Sequence, residues 1–136
     1  MTTKEWMMRG WRIDLEITAL ERTRQETWDR LTSTTPSYVG KLVKGENDPH
    51  KFERLTELDA DIDRRIDRLI DTKREIIDVI AQVPDSRYRT LLTERYTAFK
   101  TWEQIAVDMN YSFRQVTRMH GLALMALTPI IERRMS

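Results

Sequence analysis

The feature that most constrains this chain is a long apolar stripe bounded by two prolines. From near His50, just after Pro49, to about Val83, just before Pro84, the residues Phe52, Leu55, Leu58, Ile62, Ile66, Leu69, Ile76, Ile80 and Val83 recur at intervals of three and four, with Lys73 in the one polar slot. That period belongs to a helix with one buried face. At about 1.5 Å per residue such a helix reaches about 50 Å, too long to stand alone in water. It needs a partner, and the N-terminal segment offers one. From about Lys4 to Leu31, the residues Trp6, Gly10, Ile13, Ile17, Leu20, Thr27 and Leu31 fall at the same spacing, with Arg24 in the one charged slot. Two long helices with matching stripes, joined by a loop, fold back most simply as an antiparallel hairpin with coiled-coil packing. Trp11 and Trp28 lie beside the stripe and widen the packing face; a ligand cage is the other use of two such tryptophans. Ile70 and Ile77 remain as apolar surface for another domain or a second subunit.

Residues 32–49 hold half of the chain's Gly and Pro, so helix gives way to a long loop there. Tyr38, Leu42 and Val43 are candidates to pin it down, and Lys41 and Lys44 to touch phosphate or simply to be solvated. On the second long helix Asp59, Asp63, Asp67 and Asp71 form a ladder at four-residue spacing. A carboxylate metal site would use such a ladder. However, Arg64 stands three residues from Asp67, Arg68 three from Asp71, and Arg65 four from Asp61, which is the interleaving of a solvated, salt-bridged helix face.

Beyond Pro84 the pattern changes. Asp85 or Ser86 can cap a helix running from roughly Arg87 to Ala98, with Tyr88, Leu91, Leu92 and Tyr96 as packing residues. Arg87, Arg89 and Arg95 are candidate phosphate contacts. The segment from Thr101 to Met119 then reads as two short helices meeting at a tight turn. Steeply crossing helices leave little room, so the inner residue of the first must be small, and Ala106 is. Four residues later Asn110 tolerates the positive φ that a reversal requires. Six residues further on, Val116 is the branched apolar residue that plugs the second helix into the first. Ile105, Met109 and Met119 close the small core. Thr101 caps the first helix, with Gln104 completing a capping box, and Ser112 caps the second. Arg114, Gln115, Thr117 and Arg118 are left outside. This is the pattern of a helix-turn-helix reader of duplex DNA. Its second helix is expected over 112–127, ending at Thr128-Pro129 and followed by an uninformative tail.

Charge supports that assignment modestly. The chain has 136 residues and a formal net charge of +1, but residues 1–83 carry 15 Lys/Arg against 17 Asp/Glu, and residues 84–136 carry 8 against 5. The C-terminal part is the basic one, as a DNA-binding module should be. Absence of cysteine excludes disulfides, thiolate metal sites and cysteine nucleophiles, and suits a reducing cytoplasm. Charged residues interrupt the N-terminus before a signal peptide or membrane span can form. Nothing points to an enzyme: His50 and His120 are the only imidazoles, and no nucleophile elbow, phosphate loop or isolated acidic pair occurs. His120 reads as a packing residue. Catalytic residues, cofactors and metals are therefore not expected.

Several segments resemble a known family. Asp85 to Tyr96, Lys100 to Ala106, Tyr111-Ser112, Arg114 to Val116, His120-Gly121 and Ala126-Leu127, together with Arg9 to Arg12 and the Thr35 to Tyr38 loop, are similar to phage-encoded regulators from Gram-positive hosts, loosely the ArpU and RinA types. Their C-terminal part resembles region 4 of primary sigma factors. The resemblance implies promoter binding and control of phage or prophage genes; the expected location is the cytoplasm of a bacterial host, with RNA polymerase as a candidate partner. Carried onto this sequence, it places Arg114, Gln115, Thr117 and Arg118 in the major groove. Asn110 stands where the family usually has glycine. Phe113 stands where a basic residue is common, which removes one phosphate or guanine contact.

The expected fold is thus all-α, with a long antiparallel helical hairpin over 1–83, a three-helix helix-turn-helix domain over 84–128 and a tail over 129–136. The expected function is sequence-specific binding of double-stranded DNA through Thr101, Ser112, Phe113, Arg114, Gln115, Thr117 and Arg118, by a homo-oligomer built on the long helices. Two alternatives stay open: a small terminase-like packaging subunit, and a region 4-like protein-interaction module that does not read DNA.

Overall fold

The computed structural model describes residues 1–32 and 49–136. The expected loop 32–49, with Tyr38, Lys41, Leu42, Val43 and Lys44, lies almost wholly outside the described residues. The fold is all-α, and among the described residues there is no strand. Six helices follow in order among the described residues: α1 (Thr3–Met8), α2 (Ile13–Thr32), α3 (Lys51–Ala81), α4 (Ser86–Tyr96), α5 (Trp102–Met109) and α6 (Phe113–Met135). They belong to two compact units, one made of Met1–Ile13 with Ile70–Ser136 and the other of Asp14–Leu69. The units thus divide at the start of α2 and inside α3.

The N-terminal helix is broken where one continuous helix was expected. Thr2 caps α1 in a capping box with Glu5, and the chain leaves helical geometry over residues 9–12, with Arg12 at φ 66°. The physical reason is burial. Trp6 and Met7 both go into the core of the first unit, each such side chain contributing about 1.5–3 kcal/mol. A straight helix would hold Met7 off the stripe occupied by Trp6, Gly10 and Ile13. Gly10 lets the segment approach closely: a methyl group there would come within 2.6 Å of Ile76 Cδ1 and 3.4 Å of the Tyr96 carbonyl oxygen.

The core of the first unit joins α1 to the C-terminal helices. Ile76, Val79, Ile80 and Val83 from the end of α3 and just beyond it meet Leu91, Leu92 and Tyr96 of α4, Ile105 and Ala106 of α5, and Val116, Ala123 and Leu127 of α6. The helix α6 does not stop at Thr128-Pro129; it runs through Pro129 to Met135. A proline inside a helix costs about 3 kcal/mol. Burial of Ile130 and Ile131 beyond it contributes a comparable amount. Thr128 adds two contacts, donating its hydroxyl to the Leu124 carbonyl at 2.9 Å and sharing a 2.6 Å hydrogen bond with the Thr3 hydroxyl of α1. The expected tail is therefore core-forming helix.

In the second unit α2 faces the first part of α3. Leu55 and Ile62 are buried there, and Ile17, Leu20, Leu58, Ile66 and Leu69 are half-buried. Arg24 pairs with Asp59 and Asp63, Trp28 donates to Asp59, and Lys51 Nζ donates to the Leu31 carbonyl. Positions that increase along α2 thus meet positions that decrease along α3, which is antiparallel order. Phe52, expected on the buried stripe, is instead 63% exposed. Within the aspartate ladder, Asp59 and Asp63 are held by the opposite helix. Asp61 pairs with Arg64 rather than with Arg65.

Candidate nucleic-acid interface

The geometry of α5, the turn and α6 follows from local chemistry. Thr101 Oγ1 accepts from the Gln104 amide at 3.2 Å, and Gln104 Oε1 accepts from the Thr101 amide at 2.9 Å. Two of the orphan donors at the start of α5 are thereby satisfied. Asn110 then adopts the left-handed conformation, φ 58° and ψ 42°. With the Tyr111 amide on the Ala106 carbonyl at 3.0 Å and the Asn110 amide on the Val107 carbonyl at 3.2 Å, the helix closes in a Schellman motif. Two residues later Ser112 opens α6 with a second capping box. Its Oγ accepts from the Gln115 amide at 3.1 Å, and Gln115 Oε1 accepts from the Ser112 amide at 2.8 Å. Ala106, Ile105 and Val116 are buried where the helices meet, and Met109 and Met119 are half-buried around them.

These caps and contacts set the exposed surface. Phe113, Arg114, Gln115, Thr117 and Arg118 all lie outside on the first two turns of α6. Arg114 and Arg118, one helical turn apart, make no ion pair among the described residues. Thr117 donates its hydroxyl to the Arg114 carbonyl at 3.0 Å. Thr101 and Ser112 are engaged as caps, and Gln115 is engaged through its carbonyl oxygen. Gln115, expected only at a base, has its signal for the cap in its position three residues after Ser112. Beside Arg118, a shallow cavity of about 220 Å³ is lined by Arg87, Tyr88, Tyr111, Gln115, Met119 and Leu122 as well. The placement of Tyr88 and Tyr111 there is tertiary and left no mark in local spacing.

Two of the three candidate phosphate-binding arginines of α4 do other work. Arg95 lies between two indoles, with its guanidinium 4.9 Å from the Trp11 ring and 4.5 Å from the Trp102 ring, and donates to the Lys100 carbonyl at 2.8 Å. Arg89 donates to the carbonyls of Val83 at 2.6 Å and Pro84 at 2.8 Å, just past the end of α3. Only Arg87 stays at the surface. It is bonded to Asp85 at 2.9 Å, and that pairing holds the Asp85 carboxyl below its ordinary range and raises the guanidinium further. Lys100 bridges Glu94 and Asp108, which raises its pKa.

His120 is a packing residue. Its ring lies 4.4 Å from that of Trp102 and stacks on Tyr96, whose hydroxyl is 2.6 Å from Nε2. Burial, with further contributions from Lys4 and Arg95, lowers the imidazole pKa to about 4, and burial pushes Tyr96 up to about 12. The neutral imidazole and the Tyr96 hydroxyl thus share one hydrogen bond. Among the described residues no three His, Asp or Glu side chains converge on a possible metal position, and no helix is long and apolar enough to cross a membrane. No protein-family model, curated protein or solved structure matches the chain.

Proposed function

We propose that α5, the Asn110 turn and α6 act as a helix-turn-helix that binds double-stranded DNA, and that the chain is a sequence-specific transcription regulator of phage or prophage genes acting in the bacterial cytoplasm. The observation that carries this reading is the pair Arg114 and Arg118, exposed one turn apart at the start of a capped helix and without anionic partners among the described residues. Guanidinium groups so placed reach guanine edges or phosphates in the major groove, each good bidentate base contact giving about 1–3 kcal/mol of discrimination. The unit that contains them carries 13 Lys/Arg against 9 Asp/Glu, and the other carries 10 against 13. With so small an excess few phosphates are neutralised, so a monomer binds weakly and its affinity falls with salt. Self-association through the long helices, or contact with RNA polymerase, would supply the remainder.

A second reading has its own observation. Val107 on α5 is 79% exposed and Phe113 on α6 is 51% exposed, and apolar groups at this position favour a protein partner over phosphate. The two readings separate in one experiment: fluorescence anisotropy of the purified chain with duplexes from its own gene neighbourhood and with random duplex, at two salt concentrations. Fragment-specific binding lost in Arg114→Ala and Arg118→Ala supports the regulator. Equal, salt-labile binding to every duplex points to a packaging subunit of small terminase type. No binding at either salt leaves the interaction module.

A further inference from the structure

The exposed face of α6 continues well past the two arginines, and its residues are arranged symmetrically. Arg118, Gly121, Leu122, Met125, Pro129 and Glu132 fall within about 100° of arc on one side of the helix, and all six are exposed. Leu122 is 45% exposed and Met125 71%. Arg118 and Glu132 stand seven residues to either side of Met125, and neither has an ion-pair partner among the described residues. Gly121 is a second anomaly. Glycine inside a helix is destabilising relative to alanine, yet a methyl group at this position would meet nothing within 4 Å, so the chain's own packing does not call for it.

We infer that this face of α6 is a self-association surface, taking a second copy of the chain in antiparallel orientation with the twofold axis at Met125. About that axis Met125 meets its own copy, Gly121 meets Pro129 of the second copy, and Arg118 meets Glu132, twice by symmetry. The missing side chain at Gly121 gives the proline ring room to approach. A parallel pair is disfavoured, because Arg118 would face Arg118 and Glu132 would face Glu132. Of the other charges near this face, Arg133 at its edge falls opposite Thr117, and Arg114 lies beyond the paired stretch. One helix pair buries less than the roughly 800 Å² per partner of a standard interface, so the dimer is weak and forms at concentrations on the order of 10–100 µM. Because Arg118 takes part, the dimer hides one of the groups assigned above to DNA, and association and major-groove binding compete. That last consequence rests on the proposed function; the dimer itself does not.

Sedimentation velocity of the full chain without DNA, from about 1 µM to 1 mM, tests the pairing. The expected result is a concentration-dependent monomer–dimer equilibrium. Arg118→Glu or Glu132→Arg alone turns two attractive contacts into two repulsive ones and weakens the dimer roughly tenfold. The double exchange Arg118→Glu with Glu132→Arg restores it, and Met125→Asp, which places like charges on the axis, abolishes it. Far-UV circular dichroism confirms that each surface variant is folded. A monomer throughout the range overturns the inference, and so does a dimer indifferent to all four variants, which would place association elsewhere. Failure here leaves DNA binding untouched, since the two are read in separate experiments.

Discussion

Trp28 of α2 donates its indole N–H to both carboxylate oxygens of Asp59 on α3, at 2.8 and 2.9 Å. The same carboxylate lies 3.7 Å from Arg24 Nε, and the far end of that guanidinium holds Asp63. A tryptophan and an arginine thus clamp two rungs of the aspartate ladder from the opposite helix, and the stripe of the second unit is completed by polar pairing. A carboxylate that accepts from Trp28 and faces the charge of Arg24 makes the two helices interdependent. Arg24 Nε itself is buried without a hydrogen bond, so it relies on the charge of Asp59.

Trp28→Phe keeps the apolar ring and loses one charge-assisted donor, with an expected cost of about 1 kcal/mol for a half-exposed pair. Asp59→Ala removes the acceptor of Trp28 together with the charge facing Arg24 and should cost more, about 2 kcal/mol. Hydrogen exchange of α2 amides, measured alongside thermal unfolding, checks this. Equal protection in the wild type and both variants would show that apolar packing alone holds the two helices.

Arg95 was a candidate phosphate contact by sequence, and its place between Trp11 and Trp102 gives a different expectation. Two cation–π contacts of about 0.5–1 kcal/mol each, with a hydrogen bond to the Lys100 carbonyl, predict a loss of about 2 kcal/mol in Arg95→Ala. Arg95→Lys should recover only part, because an ammonium cannot present a planar face to two rings at once. Denaturant unfolding reads this directly. Unchanged stability together with weakened duplex binding would return Arg95 to the DNA surface.

The contrast between Arg95 and Asn110 shows what could be read in advance. The left-handed turn, the small Ala106, the buried Val116 and the Thr101 cap are set by residues within a few positions of one another, and local rules find such features. The extent of α3 was likewise legible, because it depends on a repeating stripe between prolines. The break at Arg9 to Arg12 was not, since it is driven by burial of Trp6 and Met7 against helices far along the chain. Nor was the passage of α6 through Pro129, where Ile130 and Ile131 gain a core that outweighs a local penalty. Arg95 belongs with these: a guanidinium between indoles from positions 11 and 102 has no local signature. Of the expected contact set, Phe113, Arg114, Thr117 and Arg118 share the exposed face. Thr101, Ser112 and Gln115 turn out to be caps, a use that the same sequence rules already contained for Thr101 and Ser112.

His120 gives a pH dependence with a definite sign. Its folded pKa of about 4 lies below the ordinary value of 6.5, so between these values the unfolded chain binds the proton and the folded one does not. Stability from this residue is fully present above about pH 6.5, falls as pH drops toward 4 and levels off below. Because the ring is only partly buried, the size is on the order of 1–2 kcal/mol after allowance for solvent screening. Melting temperatures from pH 7.5 to 4 should decline more steeply in the wild type than in His120→Phe, which packs against Trp102 but cannot be protonated. Parallel declines in the two proteins would assign acid sensitivity to the carboxylates.

Gln115 separates the two roles that one side chain has been given. A bidentate contact with adenine uses the carbonyl and amide groups of glutamine together, but Oε1 of Gln115 already accepts from the Ser112 amide at 2.8 Å. Reading a base in that way would require opening the capping box at the start of α6. Gln115→Ala should therefore lower stability by about 0.5–1 kcal/mol and change duplex affinity less than twofold, an effect of under about 0.4 kcal/mol. Arg114→Ala and Arg118→Ala should do the reverse, lowering affinity with melting temperature nearly unchanged, since neither side chain bonds within the described structure. Thermal melts and anisotropy titrations on the same three preparations make the comparison. If Gln115→Ala instead loses binding to one fragment while keeping it on random duplex, the cap opens on DNA and Gln115 reads a base after all.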